Sequence, residues 1–491
     1  MRLFSKSSFQ DKGHINIHGK PKNIIHLKKA MTFVKSHFSF YNFAWFLIIF
    51  LLEILVTLVF TSTTTRSSSP PTTTAHEFLS IDHSEEKCKY GKVYVYELPP
   101  MFNKELLENC DDLNPWKSQC AAVSNNGFGP NATSLAGTVV PKELTPPWYW
   151  TNLFAGEIIF HTRSLNYKCR TTEPESATAF YVPFYAGLAV SKYLLNLSSS
   201  ARDRDAPCQR FLGWIKHQPY WKKSNGSDHF LMLGRSSWDF RRARDDDIWG
   251  TSFLRMPLMK QMYRLTIERH LTDPLDVSVP YPSGFHPNSL SDIRKWQEFV
   301  RTRDRPNLFT FVGGKRGYIK NDFRALLLDI CYKESGSCKA LDCGKIPCLD
   351  GSSAVIEAFL DSDFCLQPRG DSVTRRSTFD CMLAGSIPVF FWEGTVGGQY
   401  ELFMSNEPES FSVFIHRNEV RNGTTSIRKV LEGYSREDIR RMRDKVIDMI
   451  PRISYAFPGN ERSANNIRDA FDIGVEEVLR RINSQKGIMI N

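Results

Sequence analysis

The alternation of apolar and polar segments predicts an α/β fold in the second half of the chain. The apolar run Phe364–Leu366 predicts a strand, which ends at Pro368. A helical pattern follows from Thr374 to Ala384, and Ile387–Phe391 predicts a second buried strand. This segment therefore predicts a strand–loop–helix–strand unit.

Similar patterns predict further strands and helices on both sides of a Pro- and Gly-rich loop at Val279–Pro287. Before that loop, the predicted strands are Val93–Leu98, Ala179–Val182 and His229–Leu233, with helices around Thr151–Arg163 and Ala186–Leu197. After it, Leu308–Val312 is a predicted strand, and the predicted helices are Asp322–Cys331, Ser352–Leu360, Arg436–Ile450 and Asn460–Ile482. We expect two α/β domains, over residues 88–285 and 286–491.

Residues 1–87 have a different character and predict membrane attachment. Residues 1–40 carry eight Lys and Arg and one acidic residue, so they hold most of the net charge of +10. The apolar run Phe43–Phe60 contains one charge, Glu53, and predicts a transmembrane signal anchor; a buried helix of a soluble domain is the alternative. Positive charge stays on the cytosolic side, which places residues 1–42 in the cytosol. Residues 61–87, rich in Ser, Thr and Pro, predict a flexible stem.

Features of the part after the anchor fit the secretory lumen. Four glycosylation sequons begin at Asn131, Asn196, Asn225 and Asn422, and all eleven Cys residues follow the anchor. The odd number leaves at least one thiol without an internal partner. The spacings of Cys331, Cys338, Cys343 and Cys348 differ from zinc-site spacings and predict a disulfide-stapled loop. The charge remaining beyond residue 40 is small, about +3, which disfavours nucleic acid as a partner.

Two strand-to-helix junctions in the second half carry Gly together with Arg. One is Gly313–Gly317 and the other is Arg369–Arg376. Because the carboxyl ends of parallel strands lie along one sheet edge, we expect these loops to meet. Arg375 and Arg376 stand at the helix start, where the helix dipole attracts anions rather than cations. The pattern favours a diphosphate site; a solvated basic loop is the alternative.

Four motifs resemble those of exostosin-type (GT47) glycosyltransferases, in particular the plant branch that contains xyloglucan galactosyltransferases. They are LFTFVGGKRGY, FCLQPRGDSVTRRSTFDCMLAGSIPVFF, HFLMLGRSSWDFRR and VPYPSGFHP. The resemblance implies a GT-B fold, with two Rossmann-like domains facing a cleft. It also implies inverting transfer of a sugar, galactose from UDP-galactose, to a cell-wall polysaccharide such as xyloglucan by a single-pass type II Golgi membrane protein.

The same resemblance implies a nucleotide-sugar site in the second domain. Its expected residues are Lys315, Arg316, Arg369, Gly370, Asp371, Ser372, Arg375, Arg376 and Asp380. The arginines are the expected diphosphate contacts, and Asp380, where the broader family has Glu, is expected to hold the ribose hydroxyls. Arginine and a helix N-terminus can neutralise a leaving diphosphate, so neither a metal nor a cofactor for folding is expected. Asp245, Asp246 and Asp247 predict an ion-paired or solvated loop, with a metal site as the alternative.

Inversion needs a base from the first domain to take the acceptor's proton. Asp239 is the preferred candidate because it follows a strand among aromatic residues, and His229 and Glu97 are the others. The alternative for Asp239 is an ion pair with Arg241 or Arg242.

Aromatic side chains of the first domain suit the C–H faces of a glycan. Trp148, Trp150 and Trp238 are the acceptor-side candidates, and ordinary packing is the alternative. Other UDP sugars (galacturonic acid, arabinose), other acceptors such as mannan, and a non-catalytic glycan-binding subunit beside other Golgi glycosyltransferases remain alternative functions.

Overall fold

The computed structural model describes residues 88–487, apart from residues 197, 318, 347, 349–351, 396 and 459–466. The predicted cytosolic tail, signal anchor and stem lie outside the described residues. None of the helices in this described part has both the length and the apolar composition that a bilayer crossing requires.

The first half forms a six-stranded parallel sheet with the order β2-β1-β3-β4-β5-β6. The strands are β1 (Val93–Val95), β2 (Arg170–Thr171), β3 (Ala179–Tyr181), β4 (His229–Leu233), β5 (Tyr263–Thr266) and β6 (Asp276–Ser278). Every residue of β3, β4, β5 and β6 is buried, as expected for parallel strands covered on both faces.

The helices of this half lie between the strands. They are α1 (Lys104–Glu108), α2 (Cys120–Val123), α3 (Gly156–Leu165), α4 (Ala186–Leu195), α5 (Ala201–Ile215) and α6 (Pro219–Ser224). The longest, α5, begins with a capping box in which Ser200 and Asp203 each satisfy a backbone N–H of the other. Its start is thus specified locally by the sequence.

The second half forms a five-stranded parallel sheet with the order β11-β10-β9-β7-β8. Its strands are β7 (Asn307–Gly313), β8 (Cys338–Asp342), β9 (Ser362–Gln367), β10 (Ile387–Phe390) and β11 (Val413–Phe414). The helices are α7 (Leu290–Thr302), α8 (Phe323–Lys333), α9 (Ser353–Leu360), α10 (Arg376–Leu383), α11 (Arg417–Asn422), α12 (Ile427–Glu432), α13 (Arg436–Asp448), α14 (Ile450–Ile453) and α15 (Ala470–Gln485). Two Rossmann-like α/β units of this kind are consistent with the predicted GT-B class.

The last helix, α15, packs on the first sheet, a contact that the predicted domain boundaries did not anticipate. A Cβ on Gly474 would lie 3.0 Å from Cγ1 of Val279, so α15 is in close contact with the residue that follows β6. At the start of α15, Asp469 forms a buried ion pair with Arg163 of α3, at 3.1 Å. The end of the chain therefore ties the two halves together.

The predicted strands and helices are confirmed in type. Strands β2, β8 and β11 were missed, and so were β5 and β6. Both are short and each carries a charged residue, Arg264 in β5 and Asp276 in β6. These two side chains are buried as an ion pair of 2.8 Å, whose attraction offsets part of the cost of taking both charges out of water. A pattern of apolar positions cannot reveal strands whose charges pair across the sheet.

The disulfides confirm the stapled loop. Cys331 pairs with Cys338, and Cys343 pairs with Cys348. The other pairs are Cys88–Cys169, Cys110–Cys120 and Cys365–Cys381, and the buried Cys208 is the remaining thiol. The pair Cys365–Cys381 joins β9 to α10 and so braces the strand–loop–helix unit in which the arginine-rich loop lies.

Candidate functional site

The two Gly- and Arg-containing loops meet, as the sequence predicts. They follow the neighbouring parallel strands β7 and β9. Arg316 of the first loop donates a hydrogen bond from Nη1 to the carbonyl oxygen of Gly370 in the second, at 3.2 Å. A Cβ on Gly370 would lie 2.4 Å from the carbonyl oxygen of Thr374, so only glycine fits this tight turn. We refer to residues 369–375 as the 369–375 loop.

Four arginines line this junction: Arg316, Arg324, Arg369 and Arg375. Arg324 was missed by the sequence reasoning, although it stands in the first turn of α8, a position as unusual for arginine as that of Arg375 at the start of α10. The carboxylate of Asp371, more than half exposed, lies 3.7 Å from Arg316 and 3.6 Å from Arg324. Positive charge therefore exceeds negative charge at the loops' meeting point.

Arg316 is held in place by the N-terminal cap of α8. Its Nη2 lies 2.9 Å from Oδ1 of Asp322, and its backbone N–H donates to Oδ2 of the same carboxylate, at 2.8 Å. Asp322 also caps α8 by accepting from the backbone N–H of Arg324. One carboxylate thus fixes the loop, the arginine and the helix start together.

Arg375 is the most deeply placed arginine of the junction. Its Nη2 donates to the carbonyl oxygen of Val312, at 2.9 Å, while Nη1 is buried without a hydrogen-bond partner among the described residues. Burial, and then the neighbouring Arg324 charge, lower the pKa of the Arg375 guanidinium to about 9. An anion bound here would supply both the missing hydrogen-bond acceptor and the missing charge.

Arg369 lies beside an aromatic ring at the end of β10. Its guanidinium carbon is 5.3 Å from the centroid of Trp392, within the range of a cation–π contact. Burial, and then Arg316, lower the pKa of Arg369, while the charge of Glu268 acts in the opposite direction. Glu268 comes from the first half of the chain and was missed by the sequence reasoning, because no motif surrounds it.

Arg376 and Asp380 form an ion pair within α10. Nε of Arg376 lies 3.2 Å from Oδ2 of Asp380, and burial raises the pKa of this carboxyl although the arginine lowers it. Nη1 of Arg376 donates to the carbonyl oxygen of Thr151 in the first half, at 2.6 Å. The structure thus places Arg376 at the contact between the halves, and a ribose-binding role for Asp380 stays a prediction.

The remaining predicted loop residues have separate positions. Lys315 is exposed and lies 3.2 Å from Asp329 of α8, on the outer side of the loop. Ser372 contacts Glu268 through its hydroxyl. Of these, Ser372 is the one whose side chain reaches the first half of the chain.

Asp239, the preferred base, is buried and fully engaged. Its Oδ2 accepts from Nε of Arg235 at 2.7 Å, and its Oδ1 accepts from the indole N–H of Trp249 at 2.6 Å. The expected alternative was an ion pair with Arg241 or Arg242, but Arg235 is the partner. Such an arrangement orients neighbouring side chains and leaves little of the carboxylate for an acceptor.

His229 and Glu97 lie at opposite ends of their strands. His229 is the first residue of β4, is buried, and has both ring nitrogens within hydrogen-bond distance of partners, Tyr96 and Asp228. Glu97 follows β1 at the carboxyl end of the sheet and is exposed. Because ligands bind at the carboxyl ends of parallel strands, the geometry favours Glu97 as the base. All three catalytic roles stay predictions.

The acceptor-side tryptophans differ in accessibility. Trp148 is packed against Phe285 and Trp296 in the core and is 1% exposed, which leaves no ring face for a sugar in this conformation. Trp150 is half-buried against the same core. Trp238 is 39% exposed, and its ring lies 6.3 Å from that of Trp249. Trp238 is therefore the most accessible of the three.

The aspartate run is an ion-paired loop, which confirms that interpretation. Asp245 accepts from Arg242, and Asp246 pairs with Arg244. Asp247 accepts from the backbone N–H of Arg244, at 3.0 Å. In the part of the chain that the structure describes, no group of three or more His, Cys, Asp or Glu side chains is arranged to hold a metal ion.

Two parallel Rossmann-like sheets, with an arginine-lined loop junction at the carboxyl ends of the second, are consistent with the GT-B class of glycosyltransferases. Residues 87–431 match the Exostosin GT47 domain, and the chain belongs to this family.

Among the relatives, xyloglucan galactosyltransferase XLT2 of Arabidopsis thaliana is 55% identical over 402 residues, which is 82% of this chain and 77% of that protein. Xyloglucan-specific galacturonosyltransferase 1 of the same plant is 34% identical over 410 residues, 82% of this chain and 60% of that protein. Among solved structures, a chain in the crystal structure of a GtfA/B complex aligns with 57% of this chain and over 61% of its own length. The TM-score is 0.29 and the sequence identity 7%, a likeness too low to support any conclusion.

Proposed function

We propose that this chain transfers galactose, with inversion, from UDP-galactose to the side chains of xyloglucan. The observation that carries the proposal is the junction of Arg316, Arg369 and Arg375. It offers a diphosphate positive charge and a hydrogen-bond donor that has no partner among the described residues. The identity of 55% to a xyloglucan galactosyltransferase supports the choice of donor and acceptor.

In this proposal the second half activates the donor and the first half the acceptor. As the glycosidic bond breaks, negative charge develops on the leaving UDP, and the arginines stabilise it without a metal. Glu97, exposed at the carboxyl end of β1, takes the proton of the attacking hydroxyl. Trp238 offers a ring face to the acceptor glycan. Asp380 holds the ribose once donor binding releases it from Arg376.

Two alternatives remain specific enough to test. The first keeps the reaction but uses UDP-galacturonic acid, the donor suggested by the name of a relative that is 34% identical. The second is a non-catalytic glycan-binding subunit. The arginine junction favours an enzyme, because a protein that only binds neutral glycans has no use for several half-buried arginines.

The proposed site of action is the Golgi lumen. We place residues 1–42 in the cytosol, residues 43–60 in the membrane and residues 61–87 in a stem. Exposed positions of Asn131, Asn196, Asn225 and Asn422, where glycans could be attached, and the five disulfides support a lumenal location for the described part.

The test is a transfer assay on the full-length chain in detergent-solubilised membranes. UDP-galactose, UDP-galacturonic acid and UDP-arabinose are each offered with xyloglucan or mannan oligosaccharides, with and without a chelator. We expect galactose transfer to xyloglucan that survives chelation. Transfer of galacturonic acid supports the first alternative, and UDP binding without transfer from any pair supports the second.

A further inference from the structure

A carboxylate of the first half is hydrogen-bonded to the 369–375 loop of the second. Glu268 follows β5, at the carboxyl end of the first sheet. Its Oε2 accepts from the backbone N–H of Thr374 at 3.0 Å, from the Thr374 hydroxyl at 2.7 Å and from the Ser372 hydroxyl. One oxygen therefore holds two residues that stand between Arg369 and Arg375.

This contact is buried and its surroundings are polar. Glu268 and Thr374 are 6% and 3% exposed. The hydroxyls of Tyr281 and Tyr400 lie 3.5 Å and 3.2 Å from the Thr374 hydroxyl oxygen. The single Thr374 hydroxyl proton goes to Glu268, the shortest of its contacts at 2.7 Å. A buried carboxylate that accepts this many hydrogen bonds is costly to disturb, since its partners would be left unsatisfied.

The residues on either side of Glu268, Ile267 and Arg269, are also hydrogen-bonded to the second half of the chain. The Tyr400 hydroxyl donates to the carbonyl oxygen of Ile267, at 2.7 Å. The Gln399 amide accepts from the backbone N–H of Arg269 at 3.1 Å and donates to its carbonyl oxygen at 3.0 Å. Glu268 is thus the central side chain of a fixed connection between the halves.

We propose that Glu268 is a positioning residue for donor binding, which holds the 369–375 loop so that Arg369 and Arg375 face the diphosphate. Arg375, at the end of this loop, has a buried Nη1 that finds no hydrogen-bond partner among the described residues. Ser372 and Thr374, which Glu268 holds, fix the loop between the two arginines. The inference rests on the proposed function, because it assigns the arginines to the donor.

A role for Glu268 as the catalytic base fits the geometry less well. A base must contact the acceptor hydroxyl, whereas Oε2 of Glu268 is directed at the donor side and accepts three hydrogen bonds there. In an inverting reaction the base and the leaving diphosphate lie on opposite faces of the sugar. A carboxylate that contacts the diphosphate-binding loop is on the wrong face.

The experiment compares full-length wild type with Glu268→Ala, Glu268→Asp and Glu401→Ala, a glutamate exposed at the rim of the same connection. UDP affinity is measured by calorimetry, and KM and kcat are measured for donor and acceptor. We expect Glu268→Ala to weaken UDP binding and raise the donor KM about tenfold, the size of losing one or two hydrogen bonds to a charged group. Acceptor KM and the shape of the pH–rate profile stay unchanged, Glu268→Asp restores part of the affinity, and Glu401→Ala resembles wild type.

Each other result overturns the inference in a recognisable way. Equal UDP affinity in wild type and Glu268→Ala removes the positioning role. If Glu268→Ala loses kcat and the acidic limb of the pH–rate profile while its UDP affinity is unchanged, Glu268 is the catalytic base. A wild type that binds no UDP overturns the proposed function as well. If Glu268→Ala does not fold, Ser372→Ala removes one donor from the loop side and is expected to weaken UDP binding about threefold; unchanged affinity there also overturns the inference.

Discussion

Arg376 of α10 donates a hydrogen bond from Nη1 to the carbonyl oxygen of Thr151, 225 positions earlier in the chain, at 2.6 Å. The same guanidinium pairs with Asp380 one turn further along its helix, at 3.2 Å. Arg376, which the sequence predicts to contact an anionic ligand, therefore also connects the two halves of the molecule, and its contact with a ligand stays a prediction.

Removing Arg376 alone should cost more stability than removing the pair. In Arg376→Met, the carboxyl of Asp380 is left buried without its partner, and we expect unfolding free energy to fall by about 3 kcal/mol. The double variant Arg376→Met with Asp380→Asn removes the stranded charge and should recover part of that loss. Chemical denaturation of the wild type, the two single variants and the double variant, analysed as a double-mutant cycle, measures the difference. Additive losses would show that the two side chains are not coupled.

Arg316→Ala and Arg369→Ala should each weaken UDP binding about tenfold or more, because each removes a charged donor from a partly buried anion site. Arg428→Ala is the matched control, since this exposed arginine pairs with Glu432 on α12. Calorimetric titration with UDP gives the affinities. UDP affinities equal to wild type in both variants would exclude these arginines from the donor site.

The parallel sheets and the meeting of the two loops could be predicted, because periodicity and loop composition are local properties of the sequence. Arg324 could have been predicted in the same way, from arginine in the first turn of a helix. Glu268 could not, since it lies 104 and 106 positions from Ser372 and Thr374 and no local pattern signals that contact. The partner of Asp239 was missed because a short 3-10 turn brings Arg235, and not the later arginines, against it.

Glu97→Gln should lower kcat about 100-fold and leave UDP affinity unchanged, since the amide cannot accept the acceptor's proton. Asp239→Asn is the informative comparison. Its carboxylate holds Arg235 and Trp249, so we expect its main effect to be lower stability and a higher acceptor KM. Initial rates at saturating donor and acceptor decide whether Glu97 or Asp239 is the catalytic base. A large loss of kcat in Asp239→Asn, with wild-type rates in Glu97→Gln, would reverse the assignment.

Trp238→Ala should raise the acceptor KM about tenfold, the equivalent of about 1.4 kcal/mol, with little change in donor KM. The physical reason is the loss of an exposed ring face beside Trp249 at the carboxyl end of β4. Tyr332→Ala, which removes an exposed ring from α8, controls for general loss of aromatic surface. Kinetics with xyloglucan oligosaccharides of increasing length test the idea, and an unchanged acceptor KM at every length contradicts it.

Acid should destabilise the fold through His286. Nδ1 of this buried ring lies 2.7 Å from the carbonyl oxygen of Tyr455, and Nε2 lies 2.7 Å from the Thr151 hydroxyl oxygen. Burial, opposed only in part by the bond to Tyr455, lowers its pKa from 6.5 to about 3. Below pH 6.5 the unfolded chain therefore binds a proton that the folded chain does not, and stability falls as pH falls toward 3.

The size of the effect at pH 5 is about 2 kcal/mol, from 1.5 pH units at about 1.4 kcal/mol each. Two buried carboxyls, Glu157 and Asp472, have pKa values raised by burial to about 7, so they act in the opposite direction between pH 4 and pH 7. The comparison must therefore be made against His286→Asn, which keeps a donor and an acceptor but cannot titrate. Denaturation at pH 7 and pH 5 should show wild type losing about 2 kcal/mol relative to that variant, because the carboxyl contributions cancel in the difference. A constant difference between the two proteins at both pH values would mean that His286 does not carry the acid sensitivity.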